Sequence, residues 1–217
     1  MNSGTYKYFL NGEPTGIIET FSIENLSDGS KLTRSTRDAK SFGTEFTVET
    51  IEKNGRFQNC KIEFKTDEIE IRANYDFSEK SFNVRREING ENVQDETFDL
   101  PENSIFFPLM RCFQGATILR VASGFSTVLV PDIQNPKDIE NLLKPTFDER
   151  KAEKIGRQTI GLHQKFSVAA EADLYRYFSK NYDENSCFCI DKSAFLVGYI
   201  FAQSANKIWE ISLECKL

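Results

Sequence analysis

The sequence is poor in the residues that most often announce chemistry. Its 217 residues hold one histidine, His163, and five cysteines (Cys60, Cys112, Cys187, Cys189, Cys215) that are odd in number and irregular in spacing. A zinc site needs several soft ligands and a disulfide framework an even, patterned set, so neither is expected. Cys187-Phe188-Cys189 places two thiols on one face of a strand about 6.6 Å apart, at the long edge for a disulfide, and reads as a pair of packing thiols. No nucleophile elbow, phosphate loop or dinucleotide fingerprint occurs, so no cofactor is implied. A membrane-spanning helix is excluded by the want of any apolar run of about 18 residues. The segment Met1 to Tyr8 lacks the charged and then apolar layout of a secretory leader. Together with the free thiols this points to a reducing cytoplasm. Basic residues are outnumbered too, 27 against 33 acidic ones for a net charge of −6. A surface that tracks phosphates needs clustered Lys and Arg, so a nucleic-acid partner is not expected.

What the chain has is aromatic bulk, with 19 Phe and 7 Tyr, arranged with the period of strands. Ile17, Glu19, Phe21 and Ile23 form a mostly apolar odd set. Phe42, Phe46 and Val48 stand opposite Glu45, Thr47 and Glu49. Cys60, Ile62 and Phe64, then Ile69, Ile71, Ala73, Tyr75 and Phe77, then Phe82, Val84 and Ile88 continue the alternation. Each such run predicts a strand with one buried and one wet face. Ser27-Asp28-Gly29-Ser30, Lys53-Asn54-Gly55 and Asn89-Gly90 separate them, the last suited to a type I′ hairpin. Residues 5–98 therefore predict an antiparallel meander. The pattern breaks at Leu100-Pro101. Residues 105–115 are densely apolar, and Pro108 with Gly115 predicts a short buried helix over 108–114. Strands are predicted at Thr117 to Val121 and Phe125 to Val130. Asn135-Pro136, Ile139, Leu142, Leu143 and Pro145 predict a short surface helix. From Lys151 onward strands return, ending with Trp209, Ile211 and Leu213 alternating with Glu210, Ser212 and Glu214. With no shift in composition along the chain, residues 1–217 read as one domain.

About ten or eleven antiparallel strands cannot lie flat, because twist accumulates until the sheet curls. The predicted architecture is mainly β: a strongly curved half-barrel around the short buried helix. In order of elements the chain resembles the half-barrel domains of the lipoprotein-carrier (LolA/LolB-like) superfamily. The resemblance rests on Leu10-Asn11-Gly12-Glu13-Pro14-Thr15-Gly16 opening a long meander, the Leu-Pro-containing apolar segment after it, and a closing series that includes Asp191-Lys192-Ser193-Ala194-Phe195-Leu196-Val197-Gly198-Tyr199. It implies an apolar concavity that holds acyl chains or other lipids, and usually a periplasmic address.

Six residues are candidates for a ligand site. Arg86 is in phase with Phe82, Val84 and Ile88, so its guanidinium points inward, where it needs either an internal partner or a ligand's anionic head. Arg111 lies in the apolar helix and has the same two readings. Tyr75, Tyr177, Tyr199 and Trp209 supply hydroxyl and indole donors from inward or neighbouring strand positions, either at a cavity mouth or as core residues with satisfied tips. His163 is out of phase with Ile160, Leu162 and Phe166 and faces away from the apolar side. Two functions are compatible with these residues. One is binding of an apolar small molecule (lipid, isoprenoid or polyketide-like) in an aromatic-rich concave cavity. The alternative is a cofactor-independent cyclase, isomerase or hydratase acting in the same cavity.

Overall fold

A computed structural model describes residues 3–135, 137–160 and 170–214. His163 and Cys215 lie outside the described residues. Eight strands follow one another: β1 (Ser3–Leu10), β2 (Glu13–Asn25), β3 (Lys31–Ala39), β4 (Thr44–Lys53), β5 (Arg56–Lys65), β6 (Glu70–Phe77), β7 (Ser81–Ile88) and β8 (Glu91–Asp99). The meander is built from cross-strand pairs of inward residues. Phe46 faces Phe64 and Val48 faces Ile62. On the next strand Ile62 faces Ala73 and Cys60 faces Tyr75, and beyond it Ala73 faces Arg86 and Tyr75 faces Val84. Such rows hold register, because a slip by one residue would turn every apolar side chain to water. Three of the turns are Asn-Gly pairs with both residues at positive φ: Asn11-Gly12 (54° and 79°), Asn54-Gly55 (53° and 74°) and Asn89-Gly90 (51° and 84°). That is the type I′ geometry whose twist matches the flanking strands.

A central insertion follows, comprising β9 (Ile105–Phe106), α1 (Arg111–Ala122), β10 (Thr127–Pro131) and β11 (Pro145–Glu149). Then come β12 (Lys151–Ile160), β13 (Ala170–Phe178), β14 (Ser186–Ile190), β15 (Leu196–Ser204) and β16 (Lys207–Glu214). The main sheet has 13 strands in the order β12-β13-β14-β15-β16-β1-β2-β3-β4-β5-β6-β7-β8, every neighbour antiparallel. Its two halves are joined by the ends of the chain, with Tyr6 opposite Leu213 and Tyr8 opposite Ile211. A separate three-stranded sheet, β11-β10-β9, packs on the concave side. There Phe106 meets Phe57, Tyr75 and Phe77 with ring centroids 4.9–5.4 Å apart. Helix α1 fills the rest of the concavity, against β12 and β15. Among the described residues no helix is long and apolar enough to cross a membrane.

The mainly β, strongly curved architecture is as the alternation predicts, but three details differ. The strands exceed ten or eleven, because β3 and β8 carry mostly polar residues and β9 and β11 are too short to show a period. The helix starts at Arg111 and runs to Ala122, through the predicted strand at Thr117 to Val121. Gly115 does not stop it. It is the point of closest approach to the β14–β15 turn, where a Cβ would lie 2.7 Å from Leu196 N and 2.8 Å from Phe195 C and would also overlap Ala194 O. Only glycine fits against backbone at that range. Thr117 turns its hydroxyl onto Phe113 O at 2.9 Å, and Ile118 and Val121 are buried, so tertiary packing overrides their strand propensity. The predicted surface helix after Asn135 is instead a series of turns over 137–143. The reason is that the carbonyls of Glu140, Leu142 and Leu143 are taken by side chains of the sheet, described below.

Of the cysteines, Cys60, Cys112, Cys187 and Cys189 are free, and only Cys187 is partly exposed. A hydrogen bond with the Cys189 thiol, opposed by burial and helped by Arg176, brings Cys187 down to about 7, while the same bond drives Cys189 up. Among these four cysteines native-state alkylation is therefore expected at Cys187 first, with a rate that rises through a midpoint near pH 7. Mass mapping of iodoacetamide adducts between pH 6 and 9 checks this, and labelling of buried Cys60 or Cys112 ahead of Cys187 would contradict it.

Candidate functional site

Helix α1 divides the concave side into two mouths. Two clefts, one of about 330 Å³ along α1 from Cys112 to Arg120 and one of about 870 Å³ beside its C-terminal end, share Phe57, Ile105, Phe106 and Arg120 in their walls. Phe113 closes the inner cleft and Phe125 the outer. The Arg120 guanidinium lies 4.7 Å from the Phe125 ring centroid. Among the described residues it makes no ion pair and no side-chain hydrogen bond, and half-burial pulls its pKa below the usual value. These walls combine an apolar floor with Arg120, which both clefts share; Glu52 also lines the first cleft, and Arg56, Lys80, Glu79, Asp99 and Glu102 the second.

The mouth beside the N-terminal end of α1 is polar and crowded. Glu19, fully buried at 0% exposure, is in phase with Phe21 on β2. Its carboxylate accepts from the Tyr8 hydroxyl at 2.8 Å and from Arg37 Nε and Nη2 at 3.0 and 2.8 Å. Its other oxygen accepts from the backbone N–H of Arg111 at 2.5 Å. Met110, the N-cap residue, makes no side-chain cap, so a carboxylate from the sheet takes the place of a local one and complements the helix dipole. The Arg111 side chain reaches Tyr8 Oη at 3.4 Å and Tyr182 Oη at 3.2 Å, bonds Gln114 Oε1, and lies 5.0 Å from the centroid of Tyr199. Burial pushes Tyr199 well above the ordinary phenol value. On Tyr182 burial acts upward, but Arg111 and a hydrogen bond from Tyr199 outweigh it and leave the phenol below its usual value. Nearby, Arg150 donates to Asp148 at 3.0 Å and to the Tyr177 hydroxyl at 2.6 Å.

Three of the six sequence candidates, Arg111, Tyr177 and Tyr199, thus gather at this mouth. The other three do not join them. Arg86, 1% exposed, donates to Leu142 O at 3.0 and 2.6 Å, to Glu140 O at 3.0 Å and to Gln94 Oε1 at 3.2 Å. Tyr75 donates to Leu143 O at 2.6 Å. Both expected head-group donors are therefore committed to the 137–143 turns, because irregular backbone buried against a sheet must find its partners there. Trp209 donates its indole N–H to Gln203 Oε1 at 3.3 Å on the exposed hairpin of β15 and β16. Sequence reasoning missed Glu19, Arg37, Arg150, Tyr8, Tyr182 and Arg120. For Glu19 the signal was present, an acid in the inward phase of an apolar strand. Arg37 shares its inward set with Thr33 and Ser35, where no hydrophobic alternation marks a buried side.

A third cleft, on the outer face of β3 to β7, has its arginines neutralised: Arg34 by Glu49 and Glu24, Arg72 by Glu63 and Glu70, Arg85 by Glu87. Exposed pairs of this kind are worth little in stability; Lys61, also in the lining, makes no ion pair among the described residues.

No protein-family model and no curated protein matches the chain. Among solved structures it is similar to a β-barrel-like protein of a domain of unknown function, DUF1849, from Brucella abortus. The TM-score is 0.52 at 12% identity, over 98% of this chain and 95% of that chain. The fold is β-barrel-like. The likeness extends to that class as a whole and does not single out the lipoprotein carriers.

Proposed function

We propose that the protein binds an amphipathic small molecule of the lipid, isoprenoid or polyketide-like class in the groove beside the C-terminal end of α1. Its apolar part would lie over Phe57, Ile105 and Phe106, with an anionic end at Arg120. The observation that carries this reading is that two clefts of ligand size share these same four residues. The resemblance to lipoprotein carriers supports the same class of occupant. The second reading, a cofactor-independent enzyme, is favoured by the Tyr182 phenol beside Arg111 at the opposite mouth, a candidate acid–base group.

Mass spectrometry of the natively purified protein identifies any compound carried with it, and calorimetric titration with decanoate and decanol tests the groove. Decanoate is expected to bind saturably. Arg120→Met is expected to weaken it about tenfold, the equivalent of ~1.5 kcal/mol for a charge-assisted hydrogen bond, with little effect on decanol. No binding of decanoate, or equal affinity in the variant, would sink the reading.

A further inference from the structure

At the other mouth, Arg37, Arg111 and Arg150 line a single small cavity of about 110 Å³, together with Lys180 and Tyr182. We infer that this cavity is a binding site for a small oxyanion, a phosphate or carboxylate group, held by the three guanidinium groups. The site is separate from the groove and does not depend on it.

The first ground is unspent hydrogen-bonding capacity. Arg37 uses Nε and Nη2 on Glu19 and on Leu109 O. Arg111 uses Nε and Nη1 on Tyr8, Gln114 and Tyr182. Arg150 uses Nε and Nη1 on Asp148 and Tyr177. One terminal nitrogen of each, Nη1 of Arg37 and Nη2 of Arg111 and Arg150, makes no hydrogen bond to the described residues. The Arg37 and Arg150 side chains are only 17% and 7% exposed, yet these three nitrogens are not among the buried atoms left without a partner, so each remains accessible and free to donate to an occupant.

The second ground is charge. The lining holds four cations, Arg37, Arg111, Arg150 and Lys180, against two carboxylates, Asp132 and Asp148. Counting Glu19 beneath them, a cation is still in excess, in a chain whose net charge is −6. Arg37 pairs with Glu19 and Arg150 with Asp148, so Arg111 and Lys180 are the lining cations without an ion pair among the described residues. The Arg111 side chain hydrogen-bonds only neutral acceptors and lies over Tyr8 and Tyr199, while Glu19 acts on it through space. A positive charge held by hydroxyls and ring faces, with no direct ion pair of its own, is an arrangement an incoming anion completes.

The third ground is size. A water takes about 30 Å³, so the cavity has the volume of about three or four waters, enough for one phosphate or carboxylate group. The occupant is then either a free ion or the terminal group of a longer molecule that leaves past Ser179, Asn181 and Gln134, which also line it.

Thermal denaturation and calorimetry with inorganic phosphate and with butyl phosphate, against chloride at equal ionic strength, test this on the whole chain. Phosphate is expected to raise the melting temperature with the logarithm of its concentration. Arg111→Gln removes a cation that makes no ion pair and leaves Glu19 paired with Arg37, and is expected to weaken phosphate 10- to 100-fold. Retention of phosphate with loss of butyl phosphate assigns the site to a free ion, and equal or tighter binding of butyl phosphate assigns it to the end of a larger ligand. No response to either beyond chloride, or unchanged affinity in a folded Arg111→Gln, overturns the site. If that variant does not fold, Lys180→Glu on the exposed rim carries the test: weakening of about tenfold sustains the site, and unchanged affinity overturns it.

Discussion

Replacing Glu19 by alanine is expected to lower the melting temperature by roughly 6–20 °C, the largest loss from any single polar residue in this protein. Glu19 is fully buried and is the common acceptor for Arg37, the Tyr8 hydroxyl and the first N–H of α1. Removing one partner of a buried ion pair leaves the other charge uncompensated and costs ~3–5 kcal/mol. For a chain of this length each kcal/mol moves the midpoint by about 2–4 °C. Glu19→Gln keeps the volume but points an amide donor at a guanidinium, so it is expected to fall nearly as far. The double variant Glu19→Gln with Arg37→Met removes the stranded charge and is expected to recover part of the loss, the signature of a coupled pair. Differential scanning calorimetry on the four proteins measures it. A midpoint for Glu19→Ala within about 2 °C of the parent would show that the cluster contributes nothing to folding.

Arg86→Met is expected to destabilise by ~2–4 kcal/mol and to leave decanoate affinity unchanged. The guanidinium holds the carbonyls of Glu140 and Leu142, next to two leucines that are 2% and 0% exposed. Without it those carbonyls stay buried and unsatisfied, while the methionine stem still fills the space. Tyr75→Phe deletes only the bond to Leu143 O and is expected to cost about 1–2 kcal/mol. Urea unfolding gives the stabilities and calorimetry the affinities. A fall in decanoate affinity with little change in stability would return Arg86 to the ligand.

Much of the fold is legible in the sequence wherever apolar alternation is strong. Phe46, Val48, Cys60, Ile62, Phe64, Ile71, Ala73, Tyr75, Phe82 and Val84 all point inward as their period requires, and the Asn-Gly turns lie at the hairpins they suit. That Arg86 faces inward was legible too, since period two places a residue on a face whatever its chemistry. What that residue touches was not legible. Its carbonyl partners are 54 and 56 positions away in sequence, and no local pattern carries contacts at that separation.

The same limit governs α1 and the candidate sites. Gly115 and Pro108 are reasonable helix boundaries by local rules, yet Gly115 is in mid-helix because the β14–β15 turn, some 80 residues on, requires a residue without a Cβ there. Glu19 caps a helix 92 residues later. The three arginines of the oxyanion cavity come from β3, the start of α1 and the residue between β11 and β12, and none is near another in the chain. Composition and periodicity determined an aromatic, curved, antiparallel sheet, because burial of alternate side chains is a local and repeated demand. Only the tertiary structure decided which charges meet, because a buried charge is stable where distant backbone and side chains converge to satisfy it.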